Sequence, residues 1–167
     1  MKRRTVFSLL TACLLCLTGC AAEGKPADTT AASGKNGTRT LSYEAQFIRT
    51  DGYHEDVAYP VITVFRSRED LDTYYKANKD KYYLKTRGGD IPSDSSIGFM
   101  DAVKNYDSAF FAQKVVVSIL VQESSGSVRH NVLSVKQADG VTRLVLKRDV
   151  PAIGTTDMAK WHILVEL

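Results

Sequence analysis

Between Lys114 and Gln122 the chain reads KVVVSILVQ, with aliphatic side chains at odd and even positions alike and Ser118 as the only polar residue between its ends. Successive side chains of a strand point to opposite faces, so a strand of this kind is apolar on both and must be covered on both. It predicts a central strand. Three further runs follow it: Ser125-Gly126 leads into VRHNVLSVKQ, Asp139-Gly140 leads into VTRLVLKR, and AKWHILVEL ends the sequence. Both Gly-containing connections read as hairpins. In the last run Trp161, Ile163, Val165 and Leu167 share one face, and Lys160, His162, Leu164 and Glu166 share the other. Four adjacent antiparallel strands, with helices placed earlier in the chain, predict an α+β domain. It would be mainly antiparallel β-sheet, with two or three short helices over one face or one end and a sandwich as the alternative.

Upstream, LSYEAQFIRT sets Leu41, Tyr43, Ala45 and Phe47 at period two, which reads as a strand, and Asp51-Gly52 follows as a turn. VAYPVITVFR is apolar on both faces and reads as an inner strand, with Pro60 marking a bulge or an early boundary. Ser67 can cap a helix through Arg68-Glu69-Asp70-Leu71, with Asp70 in the reciprocal position. Leu71, Tyr74, Tyr75 and Asn78 mark its inner side, and it should fray toward Lys79. Residues 84 to 98, LKTRGGDIPSDSSIG, read as a surface loop, because a double glycine and Ile91-Pro92 oppose regular structure. Asp90 and Asp94 there lack the alternating oxygen ligands and closing glutamate of a calcium loop. A short helix from Gly98 to Asn105 turns Phe99, Ala102 and Val103 inward, and a turn of helix over Tyr106 to Phe111 closes one end of the core with aromatic rings.

Residues 40–167 therefore suffice for a single globular domain. Ahead of it, residues 21 to 39, AAEGKPADTTAASGKNGTR, contain no aliphatic side chain larger than alanine. Such a stretch buries too little surface to offset its ordering entropy, and it reads as a flexible linker with a typical reach of about 25 Å. Further toward the start, the three cysteines fall at positions 13, 16 and 20 in CLLCLTGC. A thiolate site needs a polar, charge-compensated frame, and this stretch has none. Instead Lys2, Arg3 and Arg4 precede the uncharged TVFSLLTACLLCL, which is shorter than the roughly 20 apolar residues of a spanning helix. That is an export leader, in which Cys13 and Cys16 are small apolar residues to be discarded. Its end, Leu17-Thr18-Gly19-Cys20, resembles the lipobox of bacterial lipoproteins. The resemblance implies a signal peptide over 1–19, cleavage after Gly19, and a diacylglyceryl group on the sulfur of Cys20. Residues 20–39 would then be the lipidated cysteine and its linker, on the extracytoplasmic face of the cell membrane.

Removal of the leader alters the charge balance. The full chain carries 22 Lys and Arg against 19 Asp and Glu, and three of those cations leave with the leader, so 19 face 19. Net charge then gives no footing for a nucleic-acid partner. With one lipidated cysteine left, disulfides and cysteine-ligated metals have no ligands, and no cofactor is expected.

An enzyme of this size would need a nucleophile, a base within reach and an orienting group. The sequence contains neither G-x-S-x-G nor H-E-x-x-H, and its histidines are His54, His130 and His162. His54 reads as a solvated turn residue, His130 as an exposed strand position, and His162 as a surface residue of the last strand that merits attention beside Trp161. No catalytic residue and no metal site are expected. The feature that does suggest function is the connection from Asp149 to the last strand, longer than a tight hairpin needs, since long loops on rigid sheets concentrate binding residues. Thr155, Thr156, Asp157, Trp161 and His162 form the candidate partner-binding loop, offered to a protein or glycan.

The succession of the Ser67-Arg68-x-x-Leu71 helix, Tyr106-Asp107 with Phe110-Phe111, the strand KVVVSILVQESSGS and a Pro-Ala-Ile-Gly-Thr-Thr crossing is similar to the PrcB-type domain. That domain is named after a lipoprotein subunit of a spirochaete surface-protease complex, and the similarity covers residues 57 to 167. It brings no catalytic signature, and Ser124-Ser125-Gly126-Ser127-Val128 stands where the family would place a Gly-Gly-aromatic turn. The expectation is a noncatalytic, membrane-anchored binding or assembly module of the cell envelope. The alternatives are a subunit or inhibitor of a surface protease, and a small envelope hydrolase.

Overall fold

In the computed structural model of the chain, residues 37–52, 54, 56–84 and 97–167 are described, and all belong to one compact unit, Lys35–Leu167. The leader, the lipobox, most of the linker and the loop with Asp90 and Asp94 lie outside the described residues. Among the described residues, seven strands and three short helices follow in order: β1 Arg39–Leu41, β2 Glu44–Thr50, β3 Val61–Phe65, α1 Arg68–Asn78, α2 Phe99–Ala102, α3 Ser108–Phe111, β4 Val116–Glu123, β5 Arg129–Ala138, β6 Val141–Asp149 and β7 Ala159–Glu166. The class is α+β, as the sequence suggests, with every strand pairing antiparallel.

The strands divide between two sheets. One has the order β2-β7-β4-β3 and the other β1-β5-β6. Val117, Ile119, Trp161, Ile163 and Val165 of the larger sheet meet Val135, Leu144 and Leu146 of the smaller one and form a core between them. On the opposite face of the larger sheet, Ile48, Phe65, Val116, Leu120 and Leu164 pack against Leu71, Phe99, Ala102 and Val103 from the helical side. The larger sheet is thus the middle layer of three, and all eight residues of β7 are buried.

Two sequence expectations need correction. The four C-terminal strands are not neighbours in one sheet, because Ser125-Gly126 carries the chain from β4 across to β5 in the other sheet, while β7 returns to pair with β4. Only Asp139-Gly140 makes a hairpin; both residues have positive φ, at 53° and 75°, as a two-residue turn matched to strand twist requires. The other correction concerns β3, which is an edge strand rather than an inner one. Phe65 is buried beneath the helical side, but Ile62 is 63% exposed, and the strand starts only after Pro60, where a missing N–H is tolerated. The free edges of β3 and β6 flank an apolar cleft of about 420 Å3 lined by Ile62, Val64, Val121 and Leu144.

The helices follow their local signals. Ser67 caps α1 by accepting from the Asp70 N–H at 3.0 Å, and the Asp70 carboxylate accepts from the Arg66 N–H at 2.8 Å, one residue ahead of the reciprocal partner of a standard capping box. Leu71, Tyr74 and Tyr75 face the core as expected. Asp107 caps α3 through the Phe110 N–H, and the Tyr106 and Phe110 rings stack at 4.5 Å to close the end of the core.

Candidate functional site

Trp161 and His162 are consecutive on β7, so their side chains leave the strand in opposite directions. Because β7 is covered on both faces, neither reaches a rim. Trp161 lies between the sheets, with the Arg129 guanidinium 5.1 Å from its ring. His162 lies on the helical side at 0% exposure, edge-on to the rings of Tyr74, Tyr82 and Phe99. The expected surface histidine is therefore a core residue. Its Nε2 is 2.9 Å from the Tyr74 hydroxyl and its Nδ1 is 3.0 Å from the Thr50 hydroxyl, and both contacts are satisfied by either neutral tautomer. Burial among rings disfavours the imidazolium and pushes the pKa down to about 3. A neutral, enclosed imidazole has no route to a substrate here. Lys160, two residues before it, is also buried, and desolvation lowers its pKa while Asp51 opposes the shift.

Thr155, Thr156 and Asp157 are exposed, and Thr155 and Asp157 belong to a polar junction that sequence spacing does not reveal. Asp157 makes an ion pair with Arg49 of β2, and its main-chain carbonyl accepts from the Gly126 N–H at 2.8 Å. Thr155 donates its N–H to the Ser127 hydroxyl at 3.0 Å, and its own hydroxyl is 3.2 Å from that oxygen. The Thr155 hydroxyl and the Arg49 guanidinium together draw the Asp157 pKa down to about 2. A Cβ at Gly126 would lie 2.4 Å from the Asp157 carboxylate and 2.6 Å from the Arg49 guanidinium, so a larger residue there would displace the ends of both side chains. Arg129 fixes the same turn from the other side by donating to the Gly126 carbonyl at 2.6 Å. The turn between the sheets and the loop into β7 are therefore latched together.

Above this latch every residue from Pro151 to Met158 is exposed, and three of the large exposed side chains are apolar: Val150, Ile153 and Met158. Ile153 is 91% exposed. It is the most exposed of the large apolar side chains on this rim. Three residues of this rim, Arg49, Ser127 and Ile153, are not among those that the sequence singles out. The first two come from distant segments; Ile153, between Ala152 and Gly154 in a loop that buries nothing, was a readable signal.

The remaining histidines also depart from expectation. His130 is buried, with Nε2 2.9 Å from Glu123, because β5 starts directly beside the end of β4. Desolvation lowers its pKa, against the pull of the Glu123 carboxylate. His54 is partly buried and bonded to the Lys81 carbonyl at 2.8 Å. Among the described residues no three His, Cys, Asp or Glu side chains come together as a metal site.

Comparison with known proteins finds no family model, no curated protein and no solved structure that matches this chain.

Proposed function

We propose that this protein is a noncatalytic lipoprotein held on the extracytoplasmic face of the cell membrane, where it acts as a binding or assembly module of the cell envelope. The anchor reading draws support from the basic start, the uncharged run and the Leu17-Thr18-Gly19-Cys20 sequence. Among the described residues no helix is long and apolar enough to cross a membrane. The binding reading rests on one observation, the 91% exposed Ile153 on a loop whose base is fixed by Asp157, Arg49, Thr155 and Ser127. A pinned loop loses little conformational freedom when a partner covers it, so its apolar tip is well suited to a protein surface. The enclosure of His162 weighs against an envelope hydrolase built on that residue.

The resemblance of short patterns to the PrcB-type domain keeps a surface protease as the alternative partner. A photoreactive side chain placed at Ile153 in intact cells should form an adduct with one defined envelope protein, whereas the same group at Lys76 on α1 should not. Asp157→Ala, which removes the Arg49 ion pair from the latch and leaves its main-chain and Thr155–Ser127 bonds, should reduce the adduct. Adducts of equal yield at both positions, or none at Ile153, would contradict the binding reading. A protease in the adduct would select the protease-associated form, and any other envelope protein the general one.

A further inference from the structure

The outward face of the three-stranded sheet carries a second surface of different chemistry. Antiparallel register places Lys136 opposite Arg143 and Asn131 opposite Lys147, and these side chains point away from the other sheet. Leu133, on the bulge of β5, and Val141 and Val145 of β6 stand exposed among them. The acids nearby are Asp149, which is paired with Lys147 at 2.6 Å, and Asp139 at the hairpin tip. Lys136 and Arg143 are thus the cations that set the sign of this face, on a mature chain whose total charges, these two included, balance at 19 against 19. Cations interleaved with aliphatic side chains match the boundary of an anionic bilayer, where phosphates and the first methylenes lie side by side.

The chain enters the domain at the same place. Thr38 lines a depression of about 470 Å3 together with Lys136, Asp139, Val141, Arg143 and Val145, so two cations there face one carboxylate, and β1 then pairs with β5. From Thr38 back to Cys20 the chain spans at most about 60 Å even when fully extended. We propose that this face of the three-stranded sheet docks on the anionic surface of the membrane that holds the anchor, leaving the latched rim to its partner. The inference rests on the anchor reading. A short tether holds the face at a millimolar effective concentration of its surface, so individually weak contacts suffice. Each basic side chain near such a surface multiplies affinity about fivefold.

The test uses the acylated mature chain in vesicles of phosphatidylcholine alone or with added phosphatidylglycerol. A fluorophore is attached at Val145→Cys or at Lys76→Cys, and headgroup-labelled lipid serves as quencher. Flotation with the neutral vesicles reports the anchor, and quenching reports the face. Docking predicts several-fold stronger quenching at 145 than at 76 in the anionic vesicles only. Raised salt or Lys136→Glu with Arg143→Glu should reduce it to the control level while flotation persists. Flotation with equal quenching at the two positions overturns docking and leaves the anchor standing, and strong quenching at 145 in neutral vesicles overturns the anionic partner. Failure to float with neutral vesicles removes the anchor, and docking with it.

Discussion

Lowering the pH from 6.5 toward 3 should remove on the order of 4 kcal/mol of folding stability through His162 alone. The unfolded imidazole takes up its proton near 6.5, whereas the folded one, enclosed by Tyr74, Tyr82 and Phe99, takes it up only near 3. Between those values the unfolded state binds the additional proton, so stability is fully present above 6.5 and falls by about 1.4 kcal/mol for each unit of acidification. His130 contributes with the same sign, since burial also lowers its pKa. The lowered pKa of Asp157 acts in the same direction but at more acidic pH, because that carboxylate stays ionised until about 2. Denaturant midpoints measured from pH 7 to pH 4 should follow this slope. His162→Gln should flatten most of it while lowering stability at neutral pH, where Tyr74 and Thr50 lose a well-placed partner. A midpoint independent of pH above 4.5 would mean that His162 is hydrated in solution.

Glu123→Ala should cost about 3 kcal/mol and lower the melting temperature by roughly 10 °C. Glu123 is the last residue of β4 in the larger sheet, and it accepts from two residues of the smaller one. His130 Nε2 lies 2.9 Å from one carboxylate oxygen, and the Arg148 guanidinium spans both, at 2.6 to 2.9 Å. The carboxylate thus joins the two sheets where the chain crosses between them. Its removal strands a buried imidazole whose Nδ1 already lacks a partner, although Arg148, half exposed, can turn to water. Glu123→Gln keeps an acceptor and should lose about half as much. A change within about 0.5 kcal/mol for Glu123→Ala, the range of an ordinary surface site, would show that packing alone holds the sheets together.

What could be read from the sequence was what depends on near neighbours. The double-faced apolar run of β4, the Ser67 cap, the Asp139-Gly140 hairpin and the alternation of β7 each follow from a few adjacent residues, and each appears in the fold. Strand partnership does not follow in that way. A Ser125-Gly126 turn suits a hairpin and a crossing between sheets equally well, and only the pairing of β7 with β4 excludes the hairpin. The same ambiguity hid the histidines. His130 and His162 occupy strand positions that would face water in one flat sheet, but a second layer covers each of them. Glu123, His130 and Arg148 are separated in sequence, and the contact that unites them exists only after the crossing. For the candidate site, loop length indicated the rim, while the latch from Arg49 and Ser127 depended on tertiary structure.

Whether the sulfur of Cys20 bears lipid decides where this protein works, and intact mass spectrometry of the protein extracted from membranes reads that directly. The expected result is a chain beginning at Cys20 with the added mass of a diacylglyceryl group, and an unprocessed or water-soluble product from Cys20→Ser. A mature protein with an unmodified first residue at any other position would contradict it.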